Sequence, residues 1–387
     1  MPDPIYLDHA ATTPVRPEVL DAMLPFFGPR FGNPSSVHRW GREARVALDE
    51  ARERVARCLG SHPDEISFVS GGTEGDNLAI LGAWRGRAAK SRTAIVTTPI
   101  EHKAILAAVH QAAREGATER FLMVDHDGAI SGDDFAAQMR PDVALCSVMW
   151  VNNEVGTMQP IPALAERARE RDIVFHTDAV QAFCTVAIDA KSQPFSLLTV
   201  SGHKIGAPKG VGALFVRRGT AIEPLLHGGS QDRGRRPGTE NVAYAVGFAR
   251  AAELVIEERA AERERLGRLR DRLEATLKAR IPDLVVHAQK ATRAPHIVMV
   301  SVPGTDSESM LMALDLAGVA ASAGSACQSG NVDPSHVLTA LSCPLDVANS
   351  AVRLSLGSLS TEANIDRVGE IFPSLVEKAR RLSAAGH

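Results

Sequence analysis

The chain has 387 residues, 44% hydrophobic and 23% charged, with a formal net charge of -3; this is the balance of a soluble globular protein, too long for one small core, and it points to two domains or a large domain with a smaller one attached. There is no long basic run, and aromatics are only 4% with two Tyr, which argues against nucleic acid, anionic lipid and a base-stacking platform as partners. The five cysteines, Cys58, Cys146, Cys184, Cys327 and Cys343, form no C-x-x-C pair and are odd in number, so free thiols in a reducing cytoplasm are expected, not a disulfide framework or a structural zinc site.

The N-terminus, Met1-Pro2-Asp3-Pro4, has neither the basic start nor the apolar core of a signal peptide. Residues 37–59 read as a helix, with Ala44, Ala47, Ala51, Val55 and Leu59 on one face and Gly60 as its stop. Residues 65–69 read as a short strand, followed by Ser70-Gly71-Gly72-Thr73 and a helix from Glu74. Apolar runs at 94–98, 143–150, 173–177 and 197–200 are further strands, with helical segments between most of them. The run from Val143 to Val151 is the longest and is far too short to span a bilayer. Strands alternating with helices from about residue 16 to 250 predict a mainly parallel sheet covered on both faces. Residues 250–280 form a charged helix carrying Leu266, Leu269, Leu273 and Leu277 at helical spacing. After Pro282 the chain restarts with strands at 297–302 and 353–355, a second and smaller α/β unit.

Ligands of open parallel sheets bind beyond the carboxyl ends of the strands. After residue 69 comes the Gly-rich turn through Gly72 and Thr73, a phosphate cup in form, though neither a Walker loop nor a dinucleotide fingerprint. The next strand ends deliver Glu101-His102-Lys103, Asn152-Asn153-Glu154, Asp178 with Gln181 one turn later, and Ser201-Gly202-His203-Lys204. Singly, each has an ordinary reading: Lys204 as a solvated lysine, Asp178 as a helix cap, Asn153 as a turn residue. Together they supply what pyridoxal 5'-phosphate (PLP) requires: a lysine for the aldehyde, a carboxylate for the pyridine nitrogen, and amides and hydroxyls for the phosphate.

At this point the sequence resembles the cysteine desulfurases, fold-type-I PLP enzymes of the class V aminotransferase type, and is most similar to the nitrogen-fixation and iron–sulfur-cluster members. The resemblance runs from Tyr6-Leu7-Asp8 to about Leu382, through Phe31-Gly32-Asn33-Pro34-Ser35-Ser36, Ser70-Gly71-Gly72-Thr73-Glu74, Glu101-His102, Val151-Asn152-Asn153-Glu154, His176-Thr177-Asp178-Ala179-Val180-Gln181, Ser201-Gly202-His203-Lys204, Gly238-Thr239-Glu240-Asn241, Ser325-Ala326-Cys327 and Val352-Arg353-Leu354-Ser355. It implies an α/β fold with a large PLP-binding domain, residues 15–258, built on a mainly parallel seven-stranded sheet. Residues 1–14 and 259–387 would form a smaller α/β domain carrying the catalytic cysteine. Lys204 would hold the cofactor and later move the substrate's α-proton. Asp178 would pair with the pyridine nitrogen, Gln181 with the ring hydroxyl, and His102 would stack over the ring. Gly72, Thr73, Ser201 and His203 would hold the phosphate, joined by Thr239 from the second subunit of a homodimer. Asn153 and Arg353 would bind the substrate carboxylate, with Asn33 at the pocket's edge.

Cys327 lies in a stretch of small and turn-forming residues from Ser322 to Pro334, the setting of a loop nucleophile that reacts inside a pocket and delivers outside it. The resemblance makes Cys327 the residue that takes sulfur from L-cysteine as a persulfide, leaving L-alanine, and passes it to a protein acceptor such as an iron–sulfur scaffold. Gln328 follows it where a small hydroxyl residue is common in the family. A selenocysteine lyase would share this chemistry. An inert, enzyme-like binding protein is the alternative of a different class, and intact Lys204, Asp178 and Cys327 weigh against it.

Overall fold

The computed structural model describes residues 3–88, 92–323 and 334–385. Cys327 and Gln328, and with them the expected loop, lie outside the described residues. The described strands are β1 (Ile5–Tyr6), β2 (Ile66–Val69), β3 (Ala94–Thr97), β4 (Thr118–Phe121), β5 (Val143–Ser147), β6 (Val174–Asp178), β7 (Leu197–Ser201), β8 (Gly212–Val216), β9 (Val285–Val286), β10 (Ile297–Ser301), β11 (Val319–Ala320) and β12 (Ala351–Ser355).

Seven of them form one sheet in the order β2-β8-β7-β6-β5-β3-β4. Neighbours pair in parallel except at β8, which is antiparallel to both β2 and β7. The fold is therefore the α/β class with the mainly parallel sheet that the alternation of elements predicts. Every residue of β3, β5, β6, β7 and β8 is buried, because helices cover both faces and leave no solvent side for a polar alternation. Two strands are weakly marked in the sequence. Strand β4 is the polar edge Thr-Glu-Arg-Phe, and β8 starts at a glycine directly after a Gly-rich turn. The expected strand at 143–150 ends early, at Ser147. Beyond it the amides of Val148 and Trp150 still donate to the carbonyls of His176 and Asp178, so the chain stays beside β6 while it turns toward Asn153.

The amphipathic helix begins at Arg39, two residues later than the apolar spacing predicts, and runs to Leu59. His38 accepts from the Gly41 amide at its start, and Gly60 closes it with φ 61°. A side chain at Gly60 would meet the Asp189 carboxylate at 2.0 Å in a left-handed conformation, so only glycine suits the stop.

The helix Val242–Arg280 is longer than the sequence suggests, at 39 residues. Its first half, from Val242 to Leu254, packs into the core beneath the large sheet. Leu266, Leu269, Leu273 and Leu277 enter a second core with β10, β12 and the helix Glu362–Ala385. There β10 is flanked by β12 and β9, both antiparallel, and β1 pairs with β11. Among the described residues, no helix is long and apolar enough to cross a membrane.

Candidate functional site

The carboxyl ends of β2, β3, β5, β6 and β7 open onto a cavity of about 330 Å³. Its floor is Lys204, in a short 3-10 turn directly after β7. The Nζ atom donates to the carbonyls of Ala10 and Ala11, both at 2.6 Å. Burial, aided by the nearby Arg353 charge, lowers the Lys204 pKa to about 8, with Asp8 and Asp178 pulling the other way. An amine so placed is neutral in part near physiological pH and can react with an aldehyde.

Asp178 ends β6, 6% exposed. Its Oδ1 accepts from the Val180 amide at 2.8 Å. Burial raises its pKa, while His102, the Val180 N–H and Lys204 hold it back. One turn into the helix after β2, Asp76 is more deeply buried, and burial together with the Asp178 carboxylate pushes it well above the ordinary range. Burial thus raises both carboxyls, and of the two only Asp178 faces positive groups, His102 and Lys204, that favour its charged form.

His102 caps the helix Lys103–Arg114, its Nδ1 accepting from the Ala104 amide at 3.1 Å. That bond assigns the ring proton to Nε2. Burial, then Lys204, His336 and Lys103, lower its pKa against the pull of Asp178. Across the cavity Arg353, on β12, is 3% exposed. Its guanidinium donates to the Asn153 carbonyl at 2.9 Å and to the Asp8 carboxylate at 3.0 Å, and Nε has no partner.

Gly72, Thr73, Asn153, Gln181, Ser201 and His203 complete the wall among the residues picked out from sequence. Gln181 donates to the Ala10 carbonyl at 2.9 Å and accepts from His296 at 3.3 Å. His203 meets the Thr12 hydroxyl at 3.2 Å, and burial beside Lys204 and Lys209 lowers its pKa to about 4. Two residues stand apart. Thr239 lines a separate cavity of about 210 Å³ with Arg236 and Tyr244. Asn33 is exposed and turns back to accept from the Ser35 amide at 2.9 Å.

Sequence reasoning missed Asp8, Asp76 and His336 as parts of the site, and gave Glu101 and Glu154 no role beyond their place at strand ends. Asp76 follows Thr73 by three residues, one helical turn, so spacing was a usable signal. Asp8 and His336 carry no local signal.

The residues present suit PLP. A half-buried amine, a buried carboxylate and a cavity of about 330 Å³ coincide. At the phosphate end, the buried Ser201 hydroxyl has no hydrogen-bond partner. A side chain at Gly72 would press on Val180 at 3.1 Å, so glycine keeps that wall open.

A model of the aminotransferase class-V family matches residues 5–368. A relative named cysteine desulfurase IscS, from Dictyoglomus turgidum, is 43% identical over 98% of this chain and 96% of its own length. The chain belongs to the cysteine desulfurase family. The NifS cysteine desulfurase of Azotobacter vinelandii is 44% identical over 98% of this chain and 94% of its own. A solved structure named NifS-like protein superposes with a TM-score of 0.90 at 32% identity, covering 97% of this chain and 99% of the other. Membership makes the chain a PLP-dependent enzyme of fold type I, the class for which the cavity's lysine and aspartate are suited.

Proposed function

We propose that this enzyme converts L-cysteine to L-alanine in the 330 Å³ cavity and places the sulfur on Cys327 as a persulfide. The observation that carries the reading is the convergence of Lys204, Asp178 and Arg353 on one cavity. Bound PLP supplies an electron sink for the carbanion formed at the substrate's α-carbon. Lys204 would hold the cofactor through Nζ, and the same atom, when free, would take the substrate's α-proton. Asp178 keeps the ring nitrogen protonated. Thr73, Ser201 and His203 take the phosphate, and Gln181 the ring hydroxyl. Arg353 and Asn153 fix the substrate carboxylate, which suits the planar fork of a guanidinium. His102, on the cavity wall, would face the ring and offer Nε2–H for proton transfer.

The Cys327 thiolate then attacks the substrate sulfur. An S–S bond forms, the substrate's Cβ–S bond breaks, and its electron pair stays on carbon, which is protonated on the way to alanine. A protein acceptor, such as an iron–sulfur scaffold, would receive the sulfur in the cytoplasm. A homodimer would bring Thr239 of one subunit to the phosphate of the other, which accounts for its distance from the cavity of its own chain; Asn33 would edge the substrate pocket.

The test is to add cysteine to the holoenzyme and look for one extra sulfur atom on the Cys327 peptide. Cys327→Ala should keep the yellow colour and still bind cysteine, but form no persulfide and release almost no alanine. Wild-type turnover in that variant would remove Cys327 from the mechanism.

A further inference from the structure

The turn that presents His102 is held by two side chains from other segments, Asn152 of the loop after β5 and His336 from beyond β11. Asn152 donates from Nδ2 to the Ile100 carbonyl at 2.9 Å. His336, at the start of the helix His336–Ala340, has its Nε2 at 2.9 Å from the next carbonyl, that of Glu101. A carbonyl can only accept, so Nε2 carries the proton and donates. The Glu101 carboxylate is itself fixed, its Oε1 accepting from the Thr98 hydroxyl at 2.8 Å and the Met149 amide at 2.9 Å. The Ile100 and Glu101 carbonyls and the Glu101 Oε1 atom are thus each held, and His102 completes the turn by capping its own helix.

The residue before His336 makes a parallel attachment. Ser335 donates to the Glu154 carboxylate while accepting from the Val337 and Leu338 amides. Glu154 adjoins Asn153, whose carbonyl takes the Arg353 guanidinium. Residues 335 and 336 therefore fasten one short helix to both loops that reach the cavity from β3 and β5. The His336 bond adds nothing to its capping, and its ring lines the substrate cavity with His102.

We propose that His336 is a positioning residue for His102: its ring N–H holds the Glu101 carbonyl and so fixes the loop from which His102 meets cofactor and substrate. The inference rests on the proposed role of His102 in the reaction. Losing a hydrogen bond to a neutral carbonyl corresponds to roughly a fivefold effect.

The experiment compares His336→Gln with His336→Asn in the holoenzyme. Both are neutral amides, but glutamine places its N–H where histidine has Nε2, and asparagine falls one methylene short. His336→Asn should lose roughly fivefold in kcat with the cysteine KM within about twofold, because Arg353 is untouched. His336→Gln should recover most of the loss. Adding His336→Asn to His102→Gln should cost nothing further, since the two act through one ring. Equal losses in the asparagine and glutamine variants, a rise confined to KM, or additive losses in the double variant would overturn the inference. Wild-type kcat in His102→Gln would instead overturn the role of His102 itself.

Discussion

Replacing Arg353 by lysine retains a positive charge at the bottom of a buried site and removes the flat fork. The guanidinium is 3% exposed, and two of its N–H groups are committed to the Asn153 carbonyl and to Asp8. Its remaining donors are those available to a substrate carboxylate. A lysine reaching the same place has three donors on one atom and must choose between Asp8 and the substrate. The expected loss is one charge-assisted hydrogen bond, about 1.5–3 kcal/mol, which is roughly a 10- to 150-fold weaker hold on cysteine. The carboxylate does not change during the reaction, so the interaction is the same before and at the transition state. KM should therefore rise while kcat changes far less. Initial rates of alanine release across cysteine concentrations measure both. Cysteamine, which lacks the carboxylate, is the control, and its weak binding should be alike in the two proteins. Unchanged saturation by cysteine in Arg353→Lys would refute the carboxylate role.

The depressed Lys204 pKa of about 8 makes a prediction about cofactor uptake by the apoenzyme. Only the neutral amine attacks the aldehyde, so the rate of uptake should climb about tenfold per pH unit up to pH near 8 and then level off; a rate still climbing in the same way to pH 10 would mean an ordinary, unperturbed lysine. Mixing Lys204→Ala subunits with Thr239→Ala subunits should restore activity, because heterodimers have one site with both residues intact, whereas a fully active monomer in sedimentation would rule out shared sites.

Much of the site was legible because local patterns carry it. Buried parallel strands are rich in apolar residues on both faces, so β3, β5, β6 and β7 stand out as short apolar runs, and the residues at and just past their ends converge at one edge of the sheet. That rule is enough to bring His102, Asn153, Asp178 and Lys204 together. It says nothing about partners that arrive from another core. Arg353 meets Asp8 across 345 positions and Asn153 across 200. His336 meets Glu101 across 235. Those pairings depend on how the second core, built on β10, β12 and the far half of the long helix, packs against the first. The type of chemistry was written in residue identities at strand ends. How burial perturbs the lysine and the carboxyls of the cavity, and what holds each side chain there, were decided by tertiary packing and long-range contact, which no stretch of local sequence encodes.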